Sequence, residues 1–206
     1  MVNLHSHSLL SDGCLLPSEL AIRHQAKGYK LLAITDHVDT SNIDFVVGSI
    51  LKFSNKWPHS GGITVLPGVE LTHIPPSQFK PLVKYARKAG IKVIIGHGET
   101  PNEPVVKGTN RAAIEAGVDI LAHPGLITDE DILLAIKRGV LLEITSRRGH
   151  NQANPHVAER GLALGAKFAL NMDCHHPDDI LAPEELNQIG LNLKIVDALA
   201  NPIQHK

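Results

Sequence analysis

Histidine and acidic side chains end seven short apolar runs of this 206-residue chain. Imidazole and carboxylate groups are common protein ligands of transition-metal ions, and a buried strand has no structural need for either at its tip. The runs are Val2–His7, Leu31–His37, Ile63–Glu70, Lys92–His97, Ile120–His123, Val140–Glu143 and Lys167–His175. If all are parallel strands, their carboxyl ends meet where α/β barrels carry their chemistry. The pattern therefore predicts a metal site built from strand ends.

The first run carries the strongest local signal, the sequence His5-Ser6-His7. Side chains alternate along a strand, so His5 and His7 share a face and can hold one metal ion. The turn that follows can bring Asp12 back over the same position. Two exposed histidines in a flexible N-terminus are the alternative explanation.

The second and third runs end in Asp36-His37 and in Glu70. Adjacent strand residues face opposite ways, so we assign the ligand role to His37 and expect Asp36 to orient another group from behind. A helix-capping Asp36 with a surface His37 is the alternative. Glu70 can bridge two metal ions, and a simple salt bridge is its alternative role. For His73, three residues further on, the sequence favours a loop role over metal binding.

The later runs end in His97, in His123 and in the segment Asp173-Cys174-His175. His97 and His123 stand at equivalent strand ends beside glycines, which indicates a second metal position, although a lone histidine of this kind is more often a hydrogen-bonded core residue. Asp173 and His175 share a face. Cys174 points the other way, and we expect it to be a small buried hydrophobe.

A polar segment, Ser146–Asn151, follows Glu143. Arg147 and Arg148 have the guanidinium forks that suit phosphate, and a solvated loop is an equally good explanation. The sequence leaves open the roles of Glu143 and His150. It also leaves open which of the two arginines contacts phosphate.

Helical patterns alternate with the strands, and several of them end at a glycine that can adopt a left-handed conformation. Helices are expected to begin at Pro17 and near Thr128 and to cover Asn42–Asn55, Gln78–Ala89, Thr109–Ala116, Asn154–Leu164, Pro183–Gln188 and an amphipathic stretch at Leu193–Ala200, with a surface loop at Lys56–Gly62. Strand–helix alternation predicts parallel pairing through crossover helices.

We predict a distorted seven-stranded (β/α)7 TIM-like barrel rather than an open doubly wound sheet. Charged tips occur on all seven strands, whereas an open sheet gathers its site at one switch point, and no glycine-rich phosphate loop follows the first strand. No linker or change of composition interrupts the chain. Residues 1–206 are therefore predicted to form a single domain.

The composition of the chain argues against a nucleic-acid-binding, membrane-spanning or disulfide-rich protein. The 20 basic residues nearly balance the 21 acidic ones and aromatic residues make up only 3%, which argues against a nucleic-acid partner. No apolar run approaches the roughly 18–20 residues that span a bilayer, and the N-terminus lacks the features of a signal peptide. Cys14 and Cys174 do not make a disulfide scaffold. We expect a cytoplasmic protein without a membrane partner.

Taken in order, these motifs resemble the polymerase-and-histidinol-phosphatase (PHP) family along nearly the whole chain. The matching segments are Asn3–His7 with Ser11–Gly13, Ile34–His37, Pro67–Glu70, Gly96–Gly98, Ala122–Pro124 and Asn171–His175. The resemblance implies a seven-stranded barrel with up to three metal ions at the strand ends. It assigns His5, His7, Glu70 and Asp173 to one ion, Glu70, His97 and His123 to a second, and Asp12, His37 and His175 to a third.

The resemblance further implies a metal-dependent hydrolase of phosphate esters. Two or three divalent ions (Zn, Mn or Fe) are the expected cofactors, and a bridging hydroxide would attack the phosphorus of a small phosphorylated metabolite such as histidinol phosphate or a nucleotide. Glu70 and Asp173 would act as catalytic ligands. Arg147 or Arg148 would neutralise charge on the phosphate oxygens.

Three alternatives remain at this stage. An amidohydrolase uses the same barrel and metals but normally a bridging lysine, and here no lysine ends a strand. A nuclease or phosphodiesterase acting on nucleic-acid ends is disfavoured by the charge balance. A metal-binding accessory module that has lost activity typically lacks several ligands, whereas this chain keeps all nine. The oligomeric state, the substrate and the identity of each metal cannot be read from the sequence.

Overall fold

Strands and helices alternate along the computed structural model, which describes residues 1–58 and 62–195. The strands of this part are β1 Val2–Asn3, β2 Leu31–Ile34, β3 His37–Val38, β4 Thr64–Leu71, β5 Val93–His97, β6 Ile120–Ala122, β7 Leu141–Thr145 and β8 Phe168–Asn171. The α-helices are α1 Pro17–Ala26, α2 Ile43–Lys56, α3 Phe79–Ala89, α4 Thr109–Ala116, α5 Asp129–Arg138, α6 Asn154–Leu164 and α7 Pro183–Asn192. None of these helices is long and apolar enough to cross a membrane.

All the strand pairs are parallel, in the order β1-β2-β4-β5-β6-β7-β8. The predicted second strand is interrupted, because β3 continues β2 along the same neighbour, with His37 paired to Glu70. Beyond β1 and β8, a parallel bridge joins Ser6 to Cys174, and the amide of His7 donates to the Cys174 carbonyl at 2.8 Å. The sheet therefore nearly closes on itself, which confirms the distorted seven-stranded barrel.

The barrel interior combines an apolar floor with a polar rim on the same strand faces. One buried apolar cluster contains no helix residue and therefore marks the interior: Leu4, Ala33, Val93, Ile95, Ile120, Ala122, Leu141 and Ala169. Because side chains alternate, the face that carries Ile95 next carries His97, and the face that carries Leu141 next carries Glu143. The other face of the strands packs against the helices in a larger apolar cluster.

The predicted boundaries of α2, α3, α4 and α6 lie within one residue of those observed, whereas α7 continues four residues beyond its predicted end at Gln188, to Asn192. Glycines in the left-handed region end α3, α4, α5 and α6, at Gly90, Gly117, Gly139 and Gly165. Thr128 caps α5 by accepting a hydrogen bond from the Asp131 amide.

The structure differs from the predicted start of the last helix and from the predicted start of the loop after α2. The predicted helix Leu193–Ala200 does not start at its first residues, since Lys194 has a positive φ of 61° and the turn closes on Gly190; residues 196–200 lie outside the described part. In the predicted loop Lys56–Gly62, Lys56 is the last residue of α2, and residues 59–61 lie outside the described part.

Candidate metal centre

A pocket of about 390 Å³ opens at the carboxyl ends of the strands. Its lining includes six of the nine sequence-predicted ligands: Asp12, His37, His97, His123, Asp173 and His175. The other three, His5, His7 and Glu70, are fully buried. The contacts among them, given below, bring all nine together.

The first predicted group lies deepest. The Nε2 atom of His5 is 3.3 Å from Glu70 Oε2 and 3.5 Å from Asp173 Oδ1. The Nε2 atom of His7 is 3.1 Å from Asp173 Oδ1 and 3.6 Å from Glu70 Oε2. Two imidazole nitrogens therefore face the same two carboxylates.

The second predicted group shares Glu70. Ligand atoms of Glu70, His97 and His123 lie within 4.8 Å of one another. Glu70 Oε1 is 3.8 Å from His123 Nε2, so the two oxygens of Glu70 serve different neighbours.

The third predicted group gathers around Asp12. Its Oδ2 atom lies 3.2 Å from His175 Nε2 and 3.5 Å from His37 Nε2, while Oδ1 lies 3.8 Å from His7 Nδ1. The sequence did not anticipate that His7 would face two groups, one with each ring nitrogen. The Nδ1 atom of His37 is also 2.9 Å from Glu70 Oε2, which places the three groups side by side.

Many atoms at the centre of this arrangement lack hydrogen bonds. Within the described part of the chain, His5 Nε2, both ring nitrogens of His7, both oxygens of Glu70, His123 Nδ1 and Asp173 Oδ1 are buried without a hydrogen-bond partner. Leaving one such atom unsatisfied costs about 1–3 kcal/mol, so a cluster of them needs another partner. The convergence of imidazole and carboxylate atoms fits divalent cations as that partner.

The electrostatics favour the ligand forms of Glu70, Asp173, His7 and His123, whereas the pKa values of His5 and His37 are raised, which favours their protonated forms. Burial opposes ionisation of Glu70 and Asp173, but the surrounding histidines, His5 foremost, hold the pKa of both carboxyls well below its ordinary value. Burial lowers the pKa of His7 to about 3 and also lowers the pKa of His123, which keeps these two imidazoles neutral with a free lone pair. Against the effect of burial, Glu70 and Asp12 raise the pKa of His37 to about 10.

Glu143, whose role the sequence left open, lies behind His5. Its Oε1 accepts hydrogen bonds from His5 Nδ1 at 2.7 Å and from Asn171 Nδ2 at 2.9 Å, and its Oε2 accepts one from the His123 amide at 3.0 Å. A carboxylate can only accept here, so the proton of neutral His5 sits on Nδ1. The lone pair of Nε2 then faces Glu70 and Asp173, an arrangement that repels unless a cation or proton lies between them.

Asp36 lies behind the turn that carries Asp12. It accepts hydrogen bonds from the amide and the hydroxyl of Ser8 at 2.7 and 2.8 Å and from the hydroxyl of Ser11 at 2.8 Å. The turn is also closed by Gly13, where a Cβ atom would lie 2.2 Å from the His7 carbonyl oxygen. Asp36 thus fixes the orientation of the turn that carries Asp12.

Backbone strain concentrates at the pocket. Four described residues other than glycine have a positive φ, and three of them border the pocket: His73 at 52°, His123 at 26° and Asp173 at 53°. This conformation costs about 1–2 kcal/mol per residue and persists where surrounding contacts require it. The side chains of His123 and Asp173 both line the pocket.

The two loop arginines occupy different positions. Arg147 lines the pocket, donates to the Asp173 carbonyl at 3.2 Å and has its Nε atom 3.6 Å from Asp173 Oδ2. Arg148 is exposed and does not line the pocket. Cys174 is buried, as expected of a small hydrophobe, and its thiol lies 3.6 Å from the Asp179 carbonyl.

Glu103 is a pocket residue that the sequence reasoning missed. It lies in the loop after β5, away from any strand end, so no periodic pattern marks it. Its carboxylate reaches the Nε2 atoms of His73 and His97 at 3.0 Å and of His150 at 3.3 Å. His73 and His150, whose roles were open, therefore both belong to the pocket wall.

The chain is similar to several known proteins. The chain is 38% identical to an uncharacterized protein of Methanocaldococcus jannaschii, over 98% of this chain and 94% of that protein. It is 28% identical to a probable phosphatase of Caldanaerobacter subterraneus, over 85% of this chain and 76% of that protein. A solved Xaa-Pro dipeptidase with methionine in its active site superposes with a TM-score of 0.60 and 12% identity, over 96% of this chain and 72% of the dipeptidase, a likeness of fold alone.

The family model described as the PHP domain matches residues 3–100, the part that carries His5, His7, Asp12, His37, Glu70 and His97. The structure brings the remaining expected motifs, which end in His123 and His175, to the same pocket. On this match, and on the near full-length relative, the chain belongs to the PHP domain family.

Proposed function

We propose that this protein is a metal-dependent phosphomonoesterase acting on a small phosphorylated metabolite. The observation that carries the proposal is the position of Glu70, which is shared by two groups of ligand atoms and contacts His37 of the third, with Arg147 at their edge. Phosphoryl transfer needs clustered positive charge around the phosphate oxygens and a positioned nucleophile, and this pocket has residues suited to both tasks.

The ligand sets follow the three groups. His5, His7, Glu70 and Asp173 would hold one ion, Glu70, His97 and His123 a second, and Asp12, His37 and His175 a third. Bound divalent ions would supply Lewis acidity and lower the pKa of coordinated water to about 7. Imidazole-rich ligation favours Zn, Mn or Fe over Mg or Ca.

The chain's own residues would complete the site around the ester. Arg147 presents its guanidinium to the pocket, where it would bind a phosphate oxygen and hold the ester in place. Glu143 fixes the orientation of His5, and Asp36 fixes the turn that bears Asp12. The pocket volume of about 390 Å³ suits a metabolite-sized ester.

The residues that line the pocket also help to distinguish a phosphomonoesterase from the alternative hydrolases. None of the residues that line it in the described part of the chain is a lysine, which disfavours an amidohydrolase with a lysine bridge. The relative that is named a probable phosphatase supports the phosphate-ester assignment. A phosphodiester substrate is the remaining competitor, and the experiment below separates it from a monoester.

The test uses protein loaded separately with Zn, Mn or Fe, with metal content measured on each sample. Hydrolysis of 4-nitrophenyl phosphate is compared with that of bis-4-nitrophenyl phosphate, an end-labelled oligonucleotide and an amide substrate. We expect turnover of the monoester, and a loss of orders of magnitude in Glu70→Gln but not in Glu130→Gln, an exposed residue of α5. Metal-loaded protein that hydrolyses only the diester, only the amide, or no substrate at all would overturn the proposal.

A further inference from the structure

The cluster of His73, His97 and Glu103 stands apart from the three ligand groups that family membership implies. It lies at the pocket mouth, where the side chains of His73 and Glu103 are 43% and 35% exposed, whereas that of His97 is 4% exposed. The cluster contains one residue of an implied group, His97, and two residues of loops that no motif marked. Two imidazoles and one carboxylate therefore meet at the pocket mouth.

The distances match those of ligands around a single ion. Glu103 Oε2 lies 3.0 Å from the Nε2 atoms of both His73 and His97, and one ligand atom from each residue lies within 4.8 Å of the other two. Two atoms that each lie about 2.0–2.1 Å from a tetrahedral zinc ion are separated by roughly 3.3 Å. The two separations that involve Glu103 are close to that value.

The hydrogen bonding of His97 leaves the same nitrogen free for an ion. Its Nδ1 lies 3.1 Å from the carbonyl oxygen of Gly98, which can only accept, so Nδ1 carries the proton of the neutral ring. The lone pair of Nε2 then points to Glu103 Oε2 at 3.0 Å. Two lone pairs at this distance repel, and a cation or a proton between them turns the contact into an attraction.

The neighbouring groups hold the carboxylate of Glu103 in place. His150 Nε2 lies 3.3 Å from Glu103 Oε1, and His150 Nδ1 is hydrogen-bonded to the Thr100 hydroxyl at 2.8 Å. Oε1 is therefore engaged by His150, and Oε2 remains directed to His73 and His97. The loop that carries Glu103 therefore positions this residue to bind a metal ion through Oε2 alone.

The geometry points to an outer divalent-cation site formed by His73, His97 and Glu103, with Zn or Mn as its ion. The inner group of Glu70, His97 and His123 needs the same Nε2 atom of His97, because Nδ1 is held by the Gly98 carbonyl. An imidazole nitrogen has one lone pair, so the outer and inner positions are occupied alternately. The outer position lies on the solvent side and becomes the preferred one when the inner group is weakened.

The experiment measures cation binding, not catalysis. In a His123→Gln background, which weakens the inner group, cobalt(II) is titrated while its d–d absorption is recorded, and bound equivalents are counted after gel filtration. We expect the outer site to bind one equivalent in this background. Adding Glu103→Gln should remove that equivalent or weaken it about tenfold or more, whereas adding Glu115→Gln, an exposed residue of α4, should leave it unchanged.

Equal cobalt binding in the two double variants would overturn the proposal. If the His123→Gln protein fails to fold by circular dichroism, crystals of a His123→Asn protein soaked in cobalt provide the second measurement. Anomalous density bonded to both His73 and Glu103 is expected, and density confined to the inner group would overturn the proposal. Neither result depends on phosphatase activity, so this inference and the proposed function can fail separately.

Discussion

Replacement of Glu143 by Gln tests whether the carboxylate behind His5 prepares the metal centre. Glu143 is fully buried and accepts three hydrogen bonds, two on Oε1 and one on Oε2. A glutamine amide has one oxygen and one NH2 group, so it cannot accept on both sides. With its oxygen toward His5 and Asn171, the NH2 group opposes the His123 amide at the 3.0 Å contact. The opposite orientation creates two donor–donor conflicts.

The expected losses of unfolding free energy and of metal affinity follow from the number of hydrogen bonds that are lost. The better orientation leaves one buried backbone N–H without an acceptor, which costs about 1–3 kcal/mol of unfolding free energy. The other orientation presents an NH2 group to His5 Nδ1 and moves the ring proton to Nε2, which removes the ligand lone pair. Loss of a supporting carboxylate of this kind typically lowers metal affinity about 10–100-fold.

The assays are urea unfolding of metal-free protein and metal competition against a fluorescent chelator. Glu130→Gln, exposed on α5, is the control for loss of one negative charge. We expect both the unfolding free energy and the metal affinity of Glu143→Gln to fall while those of the control remain unchanged. Wild-type metal affinity in a folded Glu143→Gln protein would refute the reasoning that Glu143 holds His5 in its ligand form.

Three further predictions concern substrate, metal and pH. Arg147→Lys should raise the KM for a phosphate monoester about tenfold or more, while the exposed Arg148→Lys should not; steady-state kinetics of both variants decide this. Removing one ion that was present at 100 times its Kd should lower the unfolding free energy by about 2.7 kcal/mol, measured by thermal unfolding with and without chelator. Burial lowers the pKa of His24 from 6.5 to about 4. Between these two pH values only the unfolded state takes up the proton, so the unfolding free energy falls as the pH falls, by about 3 kcal/mol in total. Urea unfolding between pH 7 and 4 should show this slope reduced in His24→Gln but not in His176→Gln, an exposed control; an equal slope in all three proteins would refute it.

The hydrogen bonds of His24 hold its ring in the neutral form. Asn3 Oδ1 accepts from the Met172 amide, which fixes its Nδ2 as the donor to His24 Nε2 at 3.1 Å. His24 Nδ1 then donates to the Leu20 carbonyl at 2.9 Å. A second proton would place an N–H of His24 against the NH2 group of Asn3, so the buried ring stays neutral.

Much of the barrel and its ligand set could be predicted from the sequence because strands and helices are periodic. Alternation places Ile95 and His97 on one strand face, so an apolar floor below a polar rim can be read directly from spacing. The glycines that end four helices have a local conformational cause and were equally visible. Parallel strands then bring separate motifs to one edge, which explains why nine residues between His5 and His175 converge as expected.

Other features depend on contacts between segments that are distant in the chain, and local spacing does not encode them. Glu103 reaches His73 and His150 because three loops fold over one another. Glu143 could be recognised as a strand end, but its position behind His5 depends on the near closure of the barrel, which brings together two residues 138 apart in the sequence. The choice of Arg147 over Arg148 depends on the path of an irregular loop. The sequence by itself determined which residue types stand at the strand ends, and the tertiary structure decided which loop groups close over them, since loops have no repeat from which a direction can be read.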